Sequence, residues 1–322
     1  MINERMNEQI MSNRLIIGMD GGGTKTRVMV KERQDGEILF DQNFGMSNYN
    51  NIGVEGLRPV FCEIYEALFT CFQERLQDAI LVLGSAGVDR PKDVEIYLTA
   101  LKESGFSCQL EVVNDAEIAL VGGNGDRKDA LMIAGTGSIV IGIDSKGKIV
   151  RSGGWGGLIS DEGSGFQIGR HAIAAVMQEY DKVIAPTSFT EKLLAHFQLT
   201  SPEEFIDLLY LEDTLPVDKV ASCTPIILEA WENGDEAART IVEAELEKLV
   251  RLVVGISRQM GSEKFRLSVA GSLLTKSTDY FSTLKEKLRV VLPQVEISTP
   301  LYDPVFGAIL IGARVQVNTN FE

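Results

Sequence analysis

A carboxylate followed directly by a glycine-rich turn is the first feature of this sequence with chemical meaning. Asp20 ends the apolar run Leu15–Met19, and Gly21-Gly22-Gly23-Thr24-Lys25 comes next. Glycines that join two strands expose several backbone N–H groups in one turn, and such a nest holds phosphate oxygens. The Thr24 hydroxyl and the Lys25 ammonium can extend the nest, and Asp20 can hold a hydrated Mg²⁺. The alternative is a plain glycine hairpin with a solvated aspartate.

A second glycine turn of the same design follows about 115 residues later. Gly135-Thr136-Gly137-Ser138 joins the apolar runs Ala130–Ala134 and Ile139–Ile143. Alone it is equally well a tight turn, but two such hairpins can grip a nucleotide tail from both sides. Gly271-Ser272, between a predicted strand and helix, can let adenine and ribose approach the backbone, although many α/β turns look the same.

The segment from Gly153 to Gly165 combines glycines with an aromatic residue and carboxylates. Trp155, Gly156 and Asp161 are what a sugar site needs, since the apolar C–H face of a sugar stacks on an aromatic ring while its hydroxyls are hydrogen-bonded. The alternative is a loop in which Trp155 is a packed anchor and Asp161 caps the following helix.

Asn114 and Asp115 follow the predicted strand Leu110–Val113. Ligands of open α/β folds gather beyond the carboxyl ends of strands, and a carboxylate there can accept a proton from an attacking hydroxyl. Asp115 can also cap the helix Ala116–Val121, and the two roles are compatible. Asn48 lies in an asparagine-rich loop, which indicates either turn chemistry or amide groups directed at sugar hydroxyls.

The elements around these residues predict an α/β fold in two similar halves. In each half a glycine-turn hairpin and a third strand precede alternating helices and strands, which predicts a mixed sheet. We expect a first domain at 13–121 and a second at 122–303, with a loop at Gly122–Asp126 near the change of domain. A last helix at 304–318, capped by Asp303, is expected to pack back on a domain. Single helices are also predicted at Val217–Trp231 and Leu273–Val290.

Composition excludes several classes of protein. The formal charge of -15 argues against a nucleic-acid binder. The cysteines Cys62, Cys71, Cys108 and Cys223 lack C-x-x-C spacing, which argues against a zinc site. The polar first fourteen residues lack a signal-peptide pattern, and no apolar run reaches the roughly 18 residues of a membrane span. We therefore expect a cytoplasmic protein with no membrane partner.

Taken in order, these motifs resemble the N-acetylglucosamine kinase group and the broader BadF/BadG/BcrA/BcrD ATPase family of the actin/hexokinase/Hsp70 ATPase superfamily. The resemblance runs from about Leu15 to Arg314 and rests on Asp20–Thr24, Asn114-Asp115-Ala116, Gly135–Ser138, Gly153–Gly165 and Ala270–Ser272. It implies two ribonuclease H-like domains around a nucleotide cleft, with the last helix crossing back onto the first domain. It further implies transfer of the γ-phosphoryl group of ATP, with Mg²⁺, to the 6-hydroxyl of an amino sugar.

The resemblance also implies roles for individual residues. Asp115 resembles the general base of the family, and Asp20 sits where the superfamily keeps a carboxylate linked to Mg²⁺. Sugar contacts are implied for Asn48, Asn114, Asp115, Trp155, Gly156 and Asp161. ATP contacts are implied for Gly22, Gly23, Thr24, Lys25, Gly135, Thr136, Gly137, Ser138, Gly271 and Ser272.

Two other functions stay open at this point. Some members of the family are ATPases that activate a partner enzyme, and these hold an iron–sulfur cluster between subunits through paired cysteines, which this sequence lacks. A non-catalytic sugar sensor would need neither Asp20 nor Asp115. Among substrates, N-acetylglucosamine, glucosamine and N-acetylmuramic acid all remain possible, and the resemblance makes a homodimer plausible.

Overall fold

The computed structural model describes residues 14–32, 36–88, 90–211 and 216–315. The predicted polar lead, apart from Arg14, and the predicted helix end at 316–318 lie outside these residues. The chain divides into two compact units. The first unit comprises the described residues up to Lys128 and from Pro300 onward, and the second unit is Asp129–Thr299.

The strands and helices follow the predicted order closely. The strands are β1 (Leu15–Gly21), β2 (Thr26–Glu32), β3 (Ile38–Phe44), β4 (Ile80–Ser85), β5 (Gln109–Asn114), β6 (Ala130–Ala134), β7 (Ser138–Ile143), β8 (Ile149–Gly153), β9 (Arg266–Ala270) and β10 (Glu296–Ser298). The α-helices are α1 (Tyr49–Phe72), α2 (Pro91–Glu103), α3 (Asp115–Asn124), α4 (Gly165–Tyr180), α5 (Thr190–Phe197), α6 (Phe205–Tyr210), α7 (Val217–Ala221), α8 (Thr224–Glu232), α9 (Glu236–Met260), α10 (Ser272–Lys276), α11 (Thr278–Val291) and α12 (Pro304–Arg314). Short 3₁₀ helices lie at Gln73–Asp78 and Pro202–Glu204.

The two units contain the same five-stranded mixed sheet. The strand order is β3-β2-β1-β4-β5 in the first unit and β8-β7-β6-β9-β10 in the second. In each sheet the three strands of the initial meander are antiparallel, and the remaining strands add in parallel. Short turns can join antiparallel strands, whereas parallel strands need a crossover that usually carries a helix. The predicted α/β class, the mixed sheets and the repeated hairpin are confirmed.

Both faces of the first sheet are covered by helices. Because strand side chains alternate between faces, Ile17 packs in a buried cluster with Leu57 and Phe61 of α1, while its neighbour Ile16 packs with Val305 and Ile309 of α12. The last helix therefore returns to the first unit, as predicted, and Asp303 caps it by accepting a hydrogen bond from the Phe306 N–H at 3.2 Å.

Helices α3 and α12 cross at unusually short range because glycines face each other. A Cβ atom built on Gly307 would lie 1.9 Å from the Ile118 carbonyl oxygen, and one on Gly122 would lie 2.5 Å from that of Asp303. The Gly122 and Gly123 carbonyls also accept hydrogen bonds from the N–H groups of Tyr302 and Leu301, each at 3.0 Å.

The predicted loop at Gly122–Asp126 thus starts too early, and the predicted boundary after Val121 lies seven residues before the end of this part of the first unit at Lys128. α3 continues to Asn124, and its glycines serve the close helix contact rather than a turn. Residues 122–128 and those from Pro300 on group with the first unit.

Two helices predicted as continuous in the second unit are each divided. Pro225, in the first turn of α8, has no N–H to continue a helix begun at Val217. Ser277 adopts an extended conformation and caps α11, which separates α11 from α10. The long α9 packs its apolar side into the core of the second unit. Among the residues given above, no helix is both long and apolar enough to cross a membrane.

Gly307→Ala should destabilise the first unit by about 3 kcal/mol, because the new methyl group meets backbone atoms that cannot move aside. The measurement is the free energy of unfolding in urea. Gly45→Ala is the control, since its Cβ would lie no closer than 3.4 Å to a side-chain atom. Equal stability of the two variants would show that the helices can move apart without cost.

Candidate active site

In the first unit, the predicted site residues meet at the carboxyl edge of the sheet. β1, β4 and β5 are parallel neighbours, and their register pairs Gly21 with Ser85 and Ser85 with Asn114. Asp20 and Asp115 stand beside these positions in the chain. The sheet therefore gathers side chains that are up to about 95 residues apart in sequence, as expected for ligand sites in open α/β folds.

Asp20 is held in an environment that opposes its negative charge. Burial, and then the nearby carboxylates of Asp115 and Asp303, raise the pKa of Asp20 to about 6, against the lowering influence of Arg27 and Lys25. A bound cation would relieve this repulsion, since opposite charge favours the ionised form.

Arg27 and Asp303 belong to this edge and were missed as site residues by the sequence. Arg27 is the register partner of Asp20. Its guanidinium forms ion pairs with Asp303 and with Asp41, the latter through both Nε (2.8 Å) and Nη2 (2.7 Å). Asp303 was predicted as a helix cap alone, and no sequence signal linked it to Asp20 because the two lie in opposite ends of the chain.

The glycine turn after Asp20 is fixed to the loop that follows β3. The Gly22 N–H donates to the Lys25 carbonyl at 3.0 Å and closes the turn, and the Ser47 N–H donates to the Gly22 carbonyl at 3.3 Å. The Asn51 side-chain amide reaches the Gly23 carbonyl at 3.5 Å, while Thr24 and Lys25 are exposed.

Asn48 caps α1, since its side-chain oxygen accepts a hydrogen bond from the Asn50 N–H at 3.0 Å. The turn role left open for Asn48 is therefore present.

A buried tyrosine that the sequence did not single out joins these segments. Tyr97 is fully buried. Its hydroxyl donates to the Ser47 carbonyl at 2.8 Å and accepts from the Ser85 hydroxyl at 2.7 Å. Tyr97 thereby fixes the Asn48 loop to the end of β4.

Asn114 is the structural partner of Asp115. Its side-chain oxygen accepts from the Ala116 N–H at 2.9 Å and caps α3, and its amide nitrogen donates to the Val88 carbonyl at 3.1 Å. The cap of α3 is thus Asn114 and not Asp115. Asp115 stands in the first turn, where its Oδ1 also accepts from the Ala116 N–H and where the helix dipole favours a carboxylate.

In the second unit, the glycine turn docks against the start of α4. Gly135 donates to the Gly137 carbonyl at 2.9 Å and closes the turn. The Gly135 and Thr136 carbonyls accept from the Gly165 and Phe166 N–H groups at 2.7 and 3.0 Å. These contacts hold the backbone of the turn against the first residues of the helix.

A cavity of about 760 Å³ opens beside this turn, within the range of small-molecule sites. Of the predicted nucleotide residues, Gly135, Thr136 and Ser272 line it. Gly271, at φ 96°, allows the strand–helix turn to lie against β6, because a Cβ would stand 2.2 Å from the Ala134 carbonyl oxygen. The helix ends also contribute wall residues that the sequence gave no reason to select, namely Asp218, Ala221, Thr224, Leu228, Glu229, Glu232, Lys276 and Asp279.

Gly137 and Ser138 face Asp161 instead of this cavity. A Cβ on Gly137 would lie 3.0 Å from Asp161 Oδ2, and the Ser138 hydroxyl donates to the Glu162 carbonyl at 2.6 Å. Burial raises the pKa of Asp161, although N–H groups of Gly156 and Ser138 hydrogen-bond its carboxylate and act in the other direction.

The two structural alternatives for this segment are wrong. The cap of α4 is Ser164, whose hydroxyl accepts from the Gln167 N–H at 3.2 Å, and not Asp161. Trp155 is 59% exposed and so is no packed anchor. Its ring is covered by the Arg151 guanidinium, 3.8 Å from the ring centroid. An exposed aromatic ring and a buried carboxylate are groups that can bind a sugar.

Comparison with known proteins gives this arrangement a context. A family model described as the BadF/BadG/BcrA/BcrD ATPase family matches residues 17–312. The chain belongs to this family. It is 33% identical over 300 residues to an N-acetylmuramic acid/N-acetylglucosamine kinase of Clostridium acetobutylicum, covering 92% of this chain and 97% of that protein.

Two further matches concern the sequence and the fold respectively. An N-acetyl-D-glucosamine kinase of Dictyostelium discoideum is 33% identical over 316 residues, with 94% of this chain and 98% of that protein covered. The crystal structure of a candidate N-acetylglucosamine kinase from Chromobacterium violaceum superposes with a TM-score of 0.70 at 21% identity, covering 94% of this chain and 100% of that chain. The last match supports the fold alone.

Asp20→Asn should raise the free energy of unfolding of this protein at neutral pH. An unfolded aspartate ionises near pH 4 whereas the folded pKa is about 6, so the wild-type free energy of unfolding falls as pH rises through this window. We expect a gain of about 1–3 kcal/mol at pH 8 and none at pH 4, measured by urea unfolding. Asp41→Asn is the control of opposite sign, because the Arg27 hydrogen bond lowers the Asp41 pKa. A pH-independent difference for Asp20→Asn would contradict the raised pKa.

Proposed function

We propose that the protein is an ATP-dependent kinase that transfers the γ-phosphoryl group to the 6-hydroxyl of an amino sugar, with N-acetylglucosamine as the first candidate and glucosamine next. The observation that carries the proposal is the cavity beside the Gly135–Ser138 turn, in a chain that matches sugar kinases over nearly its whole length.

The nucleotide is assigned to the two glycine turns and the cavity. Gly135, Thr136, Gly271 and Ser272 would contact ATP in the second unit, where Thr136 is exposed and Ser272 lines the cavity. Gly137 and Ser138 complete this turn. Gly22, Gly23, Thr24 and Lys25 would contact phosphate in the first unit, where the Thr24 hydroxyl and the Lys25 ammonium belong to exposed residues.

Asp20 is the residue suited to Mg²⁺, because its carboxylate is crowded by others and gains from a cation. No cluster of three or more metal-ligating side chains occurs among the described residues. Mg²⁺ usually binds through one or two carboxylates together with substrate phosphates, so the proposed site does not require such a cluster. When bound, the ion would neutralise charge on the phosphates.

Asp115 is assigned as the general base for the sugar hydroxyl. The Asn114 cap fixes the start of α3, and the Asp115 carboxylate is oriented by the hydrogen bond that it accepts from the Ala116 N–H, in a position to accept the proton of the sugar hydroxyl. Phosphoryl transfer depends mainly on positioning and charge stabilisation, and this site supplies both.

Sugar binding is assigned to Asn48, Asn114, Asp115, Trp155, Gly156 and Asp161. The exposed Trp155 ring suits stacking on an apolar sugar face. The Asp161 carboxylate suits hydroxyl donors.

The activator function remains the second candidate. It needs paired thiolates for an iron–sulfur cluster, whereas Cys223 is buried and burial raises its pKa to about 12. Cys62 and Cys71 lie on α1, more than two helical turns apart. A sugar sensor is the third candidate. The proposal includes a cytoplasmic location, which cell fractionation would check, and a homodimer, which sedimentation would check.

The deciding experiment is ADP release with Mg·ATP across a panel of N-acetylglucosamine, glucosamine, N-acetylmuramic acid, N-acetylmannosamine and glucose. We expect strong stimulation by at least one amino sugar, and glucose as the poorest substrate. ATP turnover indifferent to every sugar would favour the activator function. Sugar binding without ADP release would favour the sensor.

Asp115→Asn should reduce kcat with the best sugar by about 10²- to 10⁴-fold while the affinity for ATP stays within threefold. Steady-state kinetics and nucleotide titration measure the two quantities. Glu117→Gln is the matched control, since Glu117 lies two residues further along α3 and pairs with Arg127. Near-normal turnover of Asp115→Asn would remove Asp115 as the base.

A further inference from the structure

The backbone N–H and carbonyl of Gly163 are each hydrogen-bonded by a buried side chain from a distant helix. Its N–H donates to Oε2 of Glu245 in α9 at 2.8 Å. Its carbonyl accepts from the hydroxyl of Tyr280 in α11 at 2.8 Å. Glu245 is 1% exposed and Tyr280 is fully buried, so neither bond competes with water.

This peptide lies at the end of the loop that carries Asp161. Asp161 itself adopts a left-handed backbone with φ 64°, a conformation that non-glycine residues rarely occupy unless their surroundings impose it. Gln167 fixes the other part of the loop by donating to the Gly157 and Ser160 carbonyls, both at 2.7 Å. The loop is therefore fastened at both ends of the Asp161 turn.

Gly163 fits against α9 without room for any side chain. Its φ is 74°, and a Cβ would lie 2.7 Å from the Leu249 Cβ. The loop thus approaches the helix closely enough for Glu245 to reach a backbone N–H, and the left-handed conformation at this position favours glycine.

Glu245 stays charged while it makes this contact. Burial alone would raise its pKa, but hydrogen bonds from His171, Lys248 and the Gly163 N–H outweigh burial and lower the pKa to about 2. A hydrogen bond from an N–H to a carboxylate is about twice as strong as one to a neutral acceptor. A buried charge is costly for folding, and an apolar side chain would fill this core position without that cost. We therefore connect the carboxylate with its hydrogen bond to the Gly163 N–H.

We propose that Glu245, assisted by Tyr280, is a positioning residue for sugar binding: it fixes the Gly163 peptide and thereby the place of the Asp161 carboxylate. The role rests on the proposed function, in which Asp161 contacts the sugar. It assigns no direct substrate contact to Glu245.

Three variants separate positioning from a general contribution to folding. Glu245→Met removes the acceptor and keeps the volume, Glu245→Gln keeps an oxygen for the Gly163 N–H, and Tyr280→Phe removes one hydroxyl. Lys248→Gln is the matched control, because Lys248 Nζ contacts Glu245 Oε1 at 2.7 Å and has no bond to the loop. Each folded variant is assayed for the KM of the sugar and of ATP, and for amide hydrogen exchange in residues 160–165.

For Glu245→Met we expect the sugar KM to rise about tenfold or more, as the loss of one charge-assisted bond implies, with ATP KM within twofold. Tyr280→Phe should shift the sugar KM in the same direction and less. Glu245→Gln should restore most of the affinity, and Lys248→Gln should resemble the wild type. Exchange of the loop amides should accelerate about tenfold in Glu245→Met and stay unchanged in Lys248→Gln.

The outcomes distinguish this proposal from the proposed function. If the wild type uses an amino sugar and both Glu245→Met and Tyr280→Phe leave its KM unchanged, the positioning role is overturned and the kinase stands. If Lys248→Gln matches Glu245→Met in sugar KM, the effect belongs to the charge network and the role is likewise overturned. If the wild type uses no sugar, the kinase proposal fails. Unchanged amide hydrogen exchange in residues 160–165 of Glu245→Met would then overturn, independently, the claim that Glu245 fixes the Gly163 loop. Should Glu245→Met not fold, Tyr280→Phe and Glu245→Gln carry the test.

Discussion

The structure depends on placing carboxylates where water cannot fully solvate them. Asp20 in the first unit and Asp161 in the second both have raised pKa values, and in both cases burial is the main cause. Such carboxylates are prepared for a ligand that supplies positive charge or hydroxyl donors, since the ligand replaces the missing water. The surrounding strands, helices and loops hold these two carboxylates in partly buried positions, although their charged forms would be more stable in water.

The two units meet this requirement with the same sheet and different supports. In the first unit, α12 comes from the far end of the chain, and its cap Asp303 adds a carboxylate near Asp20 while Arg27 holds it. In the second unit, Asp161 is carried by a long loop after β8, which is fastened through Gly163 to α9 and α11. A duplicated sheet thus acquires distinct chemistry from the segments that follow its strands.

The sequence predicts the parts of this architecture that are local. The glycine hairpins, the strand ends at Asp20 and Asn114 and the start of the last helix all follow from turn, capping and periodicity rules. The strands β5, β6 and β7 lie within one residue of their predicted ranges. The division of the helix at Pro225 was also visible in principle, since proline breaks hydrogen bonding.

What the sequence does not reveal are contacts between distant segments. Tyr97 and Tyr280 read as ordinary apolar positions of amphipathic helices, yet each uses its hydroxyl to fix a loop. Gly122 reads as a turn residue because the helix that crosses it lies some 180 residues later. Glu245 reads as a surface charge on α9, and its burial depends on the loop at Gly163. Pairing of this kind is decided by tertiary packing, which periodicity does not encode.

The acidic composition also restricts how a nucleotide would lie in the second unit. The cavity wall formed by the helix ends carries Asp218, Glu229, Glu232 and Asp279 against the single cation Lys276 among its described lining residues. A polyphosphate there would meet like charges, whereas a neutral base and ribose would not. Under the proposed function, the phosphates would lie against the Gly135–Ser138 turn, of which Gly135 and Thr136 line the cavity, because backbone N–H groups bind phosphate without any net positive charge. Under the proposed function, a protein of formal charge -15 would therefore bind ATP with its base and ribose beside the acidic helix ends and its phosphates away from them.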